Sequence, residues 1–449
     1  MKNIEYTLAL IENKYSYTRF KNFYKSTNNN FIVISDNTDI KLKLKKFERV
    51  KLIESKNENI TMFDVAENVT SIISTINKWL EEISDHHQIN QNLLKWSTIP
   101  EGGKTSQRIQ DFMVLKYSFR KIFLKYNINY GLVFYDNYED YEQDTLKELF
   151  KKNQIEHCEY INKLNNQLYN LKEYILSLLR ESYYLFNLLK YYKFFFKPKK
   201  IKLFQNSIIL QLSSTTPKHV ENVLHFAKIF KDSKYKAFVL NWAAYNRKFQ
   251  KNLEIYFKKK GVDSINLERF FKLNHILNTH RVRNKLKKSI YFHSKNLESE
   301  VNNPTLLKII IRSCKKFLDN EFSQHYRYEL ALNETKDSFQ LIGAYKLWDG
   351  VSGRLLRDKI KFFGQPFRFH FQVSSAFPSP YRNLEFEKDI DLYYVSGEIQ
   401  KKIVETESEL TPEKVKIVGQ LRFQSCYDYL KRFTTNESKK KLNIDNYDL

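Results

Sequence analysis

The chain keeps changing its hydrophobic period. Apolar runs no longer than one strand occur at Tyr6–Ile11, Phe31–Ile34 and Val50–Ile53. Between such runs lie stretches whose apolar residues return every three or four positions, the spacing of a helix face. Val69, Ile72, Ile73, Ile76, Trp79, Leu80 and Ile83 form the clearest of these and predict one amphipathic helix. A second helix is predicted over Gln107–Tyr126, then a strand Ile128–Tyr135, a helix Asp140–Lys152 and a strand Ile155–Tyr160. Strands that alternate with helices become sheet neighbours through crossover connections, so the pattern predicts a mostly parallel sheet with helices on its faces.

The same alternation resumes after a long helical stretch. Residues 161–200 carry Leu164, Leu168, Leu171, Ile175, Leu178 and Leu179 at helical spacing and end in YYKFFFKPKK, with Pro198 as the stop. Ser207–Leu212 (SIILQL) then reads as a strand buried on both faces. A helix His219–Phe230 and a strand Ala237–Leu240 complete one strand–helix–strand unit. Further helices are predicted at Pro304–Asn320 and Val351–Phe363, and strands at Phe339–Ile342, Arg368–Val373, Leu392–Val395 and Lys416–Val418. The expected fold class is therefore α/β, with Rossmann-like parallel sheets and flanking helices. Four regions are expected: an α/β domain at 1–160, a helical connector at 161–200, a Rossmann-like domain at 201–425, and a tail at 426–449.

Length and composition agree with more than one packed core. The chain has 449 residues, 42% of them hydrophobic and 15% aromatic, enough to bury extensive apolar surface. Cys158, Cys314 and Cys426 lie far apart, which excludes a disulfide framework or a cysteine-rich zinc site and fits a reducing compartment. The N-terminus has a charge inside its only apolar stretch and reads as a strand rather than a signal peptide. No window is apolar enough for a transmembrane helix, so the expected location is cytoplasmic. Seventy-five Lys and Arg against 51 Asp and Glu leave a net charge of +24, which attracts polyanions: nucleic acid, anionic lipid or phosphorylated substrates. Enrichment in Lys, Asn, Ile, Tyr and Phe is also what an AT-rich genome encodes throughout, so charge alone selects no partner.

Several local patterns point to chemistry. Ser213, Ser214 and Thr215 join the buried strand to the next helix, where ligands of parallel sheets collect; they serve either as sugar or phosphate ligands or as a helix cap. Lys193, Phe194, Phe195, Lys197, Lys199 and Lys200 mix cations with aromatics, as suits the headgroup layer at the inner face of a membrane; inward packing of the aromatics is the alternative. Nucleic acid is the weaker partner, since no nucleic-acid-binding module accompanies the patch. Arg281, Arg283, Lys285, Lys287 and Lys288 form a second basic run, read as a solvated helix face. Glu101–Thr105 (EGGKT) lacks the first glycine of a phosphate-binding loop, Thr98 standing in its place, and reads as a surface turn. His86 and His87 lack the spacing of metal ligands, and no metal or cofactor is expected.

From Phe339 onward the order of parts is itself informative. A strand (FQLIGAYKLWDG) leads to a helix that ends at Gly364, followed by a strand FRFHFQ and a loop VSSAFPSPY. DIDLYYVSGEIQKKIVE and EKVKIVGQLRFQ close the series. This succession resembles the N-terminal domain of GT-B glycosyltransferases that build bacterial surface carbohydrate, the group of capsule, sialic-acid-like and glycerophosphate transferases. The resemblance spans Ile208–Phe423. In that group the strand after the helix ends in His-Gly facing the cleft; His370 stands there, followed by Phe371 instead of glycine. Gly419, Arg422 and Phe423 match the turn that closes the domain.

The resemblance implies transfer of a sugar from a nucleotide-activated donor to a glycan or lipid-linked acceptor. Asp349 would deprotonate the acceptor hydroxyl, and Arg354 or His370 would meet phosphate or sugar oxygens. Gln372, Ser374, Ser375, Gly419 and Arg422 would join Ser213, Ser214 and Thr215 in binding substrate. In such enzymes a donor-nucleotide domain follows the Gly419–Phe423 turn, so a truncated or divergent arrangement is expected. The alternative from a different class is a non-catalytic basic α/β protein that binds nucleic acid or another anionic partner.

Overall fold

The computed structural model describes residues 4–53, 62–98, 105–136, 140–163, 204–212, 217–231, 235–241, 247–270, 272–335, 339–345, 350–371, 390–407 and 410–419, with scattered residues of 165–182 and residue 437. Two compact units emerge, each discontinuous in the chain: Met1–Phe196 with Val282–Phe322, and Lys197–Arg281 with Ser323–Leu449.

The first unit is built on a five-stranded sheet, entirely parallel. Its strands are β1 (Glu5–Leu10), β2 (Asn30–Ile34), β3 (Val50–Ile53), β4 (Asn127–Tyr135) and β5 (Glu156–Ile161), in the order β3-β2-β1-β4-β5. Period-two alternation sorts the strand side chains into two cores. Leu8, Leu10, Ile32, Ile34 and Val133 meet Phe119, Ile122, Leu146 and Phe150 from helices Thr105–Lys125 and Tyr141–Lys152. Ala9, Ile11, Phe31, Val33, Leu132 and Phe134 meet Phe20, Ile40 and Leu44 from helices Lys14–Ser26 and Thr38–Leu44. The turn out of β1 is set by a capping box: Asn13 Oδ1 accepts from Ser16 N–H at 2.9 Å, and Ser16 Oγ accepts from Asn13 N–H at 3.1 Å.

Residues 282–322, which the sequence places within the stretch 201–425, cluster with this first sheet instead. Helix Pro304–Phe317 is capped by Asn303 and carries proline at its first position, a standard start signal. Hydrogen bonds tie the segment down: Trp79 Nε1 donates to His293 O at 3.0 Å, Arg108 to Ser313 Oγ at 3.0 Å, and Asn303 Nδ2 to Glu148 Oε1 at 2.7 Å. The predicted helix Pro304–Asn320 gives way at Leu318 to a π-helical turn, Leu318–Phe322, where the segment ends.

The second unit holds a seven-stranded parallel sheet. Its strands are β6 (Phe204–Gln211), β7 (Lys236–Asn241), β8 (Asp263–Asn266), β9 (Phe339–Tyr345), β10 (Phe367–Phe371), β11 (Leu392–Val395) and β12 (Val415–Ile417). The order is β12-β11-β10-β9-β6-β7-β8. Ile208, Leu210, Val239, Tyr345 and Phe369 face Val223, Leu224, Phe226 and Phe257 of helices Pro217–Lys231 and Arg247–Lys259. Both sheets are thus parallel and covered by helices, a Rossmann-like α/β architecture. The connector 161–200 lies largely outside the described residues, as does 420–449 apart from residue 437.

Gly131 in β4 is a packing requirement. A Cβ built there collides with the Phe150 ring, whereas one on Gly397 meets nothing within 4 Å. Gly131→Ala is expected to destabilise by about 1–3 kcal/mol through overpacking, and Gly397→Ala by less than about 1 kcal/mol. Urea denaturation of the two variants checks this.

Candidate functional site

In an open parallel sheet, ligands collect beyond the carboxyl ends of the strands, at the point where the strand order reverses. In the seven-stranded sheet the chain winds from β6 to β7 and β8 on one side, then returns to β9 and proceeds to β12 on the other. The reversal therefore lies between β6 and β9, which end at Gln211 and Tyr345. Gln211 is fully buried; its Oε1 accepts from Tyr328 O–H at 3.0 Å, and burial raises the Tyr328 phenol pKa far above its ordinary value. Asn241 ends the adjoining β7, also fully buried, and neither atom of its side-chain amide has a hydrogen-bond partner among the described residues. An unsatisfied buried amide costs about 1–3 kcal/mol.

Of the residues that the sugar-transferase resemblance singles out, His370, Arg354 and Gly419 are described. His370 lies one residue before the end of β10, buried, with its ring 5.0 Å from Tyr393 and 6.5 Å from Tyr345. Arg354 is buried in helix Gly350–Lys359, which follows β9. Gly419 holds φ +77 with open space where a Cβ would point, so backbone conformation alone calls for glycine there. Asp349, Ser213, Ser214, Thr215, Gln372, Ser374, Ser375 and Arg422 lie outside the described residues, as do Lys193, Phe194, Phe195, Lys197, Lys199 and Lys200.

The five-stranded sheet has the same winding, with its reversal between β1 and β4. Glu12, two residues past β1, meets Asp140 and Glu142 beyond β4, with carboxylate oxygens of all three within 4.8 Å of one another. Gln143 braces the two strand ends by donating from Nε2 to Leu10 O and accepting at Oε1 from Phe134 N–H, both at 3.0 Å. Burial, a hydrogen bond with Glu142 and the charges of Glu142, Asp140 and Asp36 all push the Glu12 carboxyl far above the ordinary carboxylate range. Asp140 is pushed up to about 7, chiefly by burial and then by Glu142. Two arrangements relieve such crowding: sharing protons, or holding a hard, oxygen-seeking cation among the three.

The sequence reading did not single out this cluster because Glu12 is distant in sequence from Asp140 and Glu142. One signal was present. Residues 136–144 read DNYEDYEQD, five acids in nine residues of a chain with a net charge of +24, directly after an apolar strand. Gln211 and Asn241 were legible in the same way, as polar residues closing apolar runs. His86 proves to be packed against His87 and His293, with ring centroids 4.9 and 6.1 Å away. Comparison of the chain with protein-family models, curated proteins and solved structures finds no match.

The cluster makes a pH-dependent prediction. A carboxyl whose folded pKa is raised contributes stability that is complete below its unfolded value, 4.5 for Glu12, and is lost as pH rises. Glu12→Gln is therefore expected to stabilise the chain at pH 8 in metal-free buffer, on the order of 2 kcal/mol. The gain should shrink toward zero near pH 4.5. Thermal melts of both proteins across this range are the measurement.

Proposed function

We propose that this chain transfers a sugar from a nucleotide-activated donor to a glycan or lipid-linked acceptor during bacterial surface polysaccharide assembly. The observation that carries the reading is the reversal of strand order between β6 and β9, with Gln211 and Asn241 buried at the carboxyl ends beside it. A nucleotide base or a sugar offers both donors and acceptors, and so can satisfy an amide that the described residues leave unpaired. The order of parts over residues 339–423, resembling GT-B transferases, supports the same conclusion.

The chemistry requires a base for the acceptor hydroxyl and positive charge or N–H groups for the departing phosphate. Asp349, immediately before the helix Gly350–Lys359, is the proposed base. Ser213, Ser214 and Thr215 follow β6 and precede the helix Pro217–Lys231, the chain position from which phosphate is bound at a helix N-terminus. Arg354 and His370 are nearly inaccessible, so their proposed part is to position the strand ends. The net charge of +24 supports one rival reading, a non-catalytic protein that binds nucleic acid or another polyanion.

A thermal-shift screen against CMP-, UDP-, GDP- and CDP-linked sugars tests the proposal. A ligand at about 100 times its dissociation constant adds about 2.7 kcal/mol to stability. One nucleotide class is expected to raise the melting temperature, and Asn241→Ala to abolish that rise. Asp349→Asn is expected to retain the shift while eliminating transfer. No shift from any donor, together with tight and salt-steep RNA binding, favours the rival.

A further inference from the structure

A second surface lies on the first unit, where side chains from the end of helix Leu273–Phe292 meet Lys315 of helix Pro304–Phe317. Tyr291 is 70% exposed and Phe292 76% exposed, so two large rings stand in water at adjacent positions. With Lys287, Lys288, Lys315 and Asp319 they line an open depression of about 660 Å³. Leu286 and Ile290 of the same helix are fully buried, which fixes its rotation and holds Lys288, Tyr291 and Phe292 outward.

The charge balance of the depression is positive. Lys287 is paired with Asp319, the one carboxylate of the lining among the described residues, which leaves the ammonium groups of Lys288 and Lys315 in excess. Lys315 Nζ sits 5.2 Å from the Tyr291 ring centroid.

We infer that this face docks on an anionic phospholipid surface, its lysines meeting headgroup phosphates while Phe292 and Tyr291 enter the interfacial layer. Cations beside exposed aromatic rings match the charge and the polarity gradient of that layer. Single-stranded nucleic acid would need open ring faces for stacking. Here the Lys315 ammonium already occupies one face of Tyr291, 5.2 Å from its centroid. Partition into an interface needs no free face. The inference concerns a different segment from the basic–aromatic stretch around residues 193–200, and it stands independently of the sugar-transfer reading. Among the described residues no helix is long and apolar enough to cross a membrane, so the contact is with the surface.

Co-sedimentation of the full chain with phosphatidylcholine vesicles, with and without phosphatidylglycerol, tests this. Binding is expected to require phosphatidylglycerol and to fall with added salt. Each interfacial cation contributes about 1 kcal/mol, so Lys288→Glu with Lys315→Glu should weaken binding roughly tenfold or more. Tyr291→Ala with Phe292→Ala should weaken it at unchanged melting temperature. No sedimentation at low salt, or undiminished binding by both double variants, overturns the inference. RNA binding that is lost in the same variants, without vesicle binding, overturns it in favour of nucleic acid.

Discussion

Parallel pairing of strands is the constraint on which the rest of this structure depends. Neighbouring parallel strands cannot be joined by a tight turn, so the chain crosses a sheet face between them, and helices come to cover both faces. Each interior strand must then be apolar on both sides, as Leu8 to Leu10 and Ile208 to Leu210 are. Polar side chains are left to the strand ends. Because both sheets wind first one way and then the other, each has one place where successive crossovers diverge, and that place lies at carboxyl ends.

The two units answer this constraint with the same order. Counted from the first strand of each, both sheets begin 3-2-1-4-5 from one edge, and the second continues with two further strands. Their reversal points nevertheless differ in chemistry. In the first, Glu12, Asp140 and Glu142 crowd together, so that burial and mutual repulsion hold protons on the cluster. In the second, neutral amides end the strands, and Asn241 has hydrogen-bonding capacity that no described residue uses. One suits cations or protons; the other suits a ligand rich in donors and acceptors.

Charge is distributed against its average. The chain carries +24, yet Glu12, Asp140 and Glu142 crowd together past the ends of β1 and β4, while exposed rings and lysines gather at Lys287–Phe292 and Lys315. Net charge alone therefore predicts neither feature. What decides them is which side chains the crossovers bring together.

The strands were legible because burial on both faces writes short apolar runs that survive in any context; β1 to β7 and β9 to β12 all fall where the hydrophobic pattern places them. β8 was not, because DSIN at an edge of the sheet needs no apolar run. Helix Lys14–Ser26 escaped notice for a similar reason: of its aromatic residues only Phe20 is buried. His370 could be placed at a strand end, but not its burial against Tyr393. Residue order by itself determined the α/β class, the strand–helix alternation and the polar residues at strand ends, since these follow from local period and composition. Only tertiary structure decided that residues 282–322 leave the second sheet's stretch of chain for the first unit, and that Glu12 meets Asp140 and Glu142. Both are encounters between distant segments, and their free energy comes from packing that no local window contains.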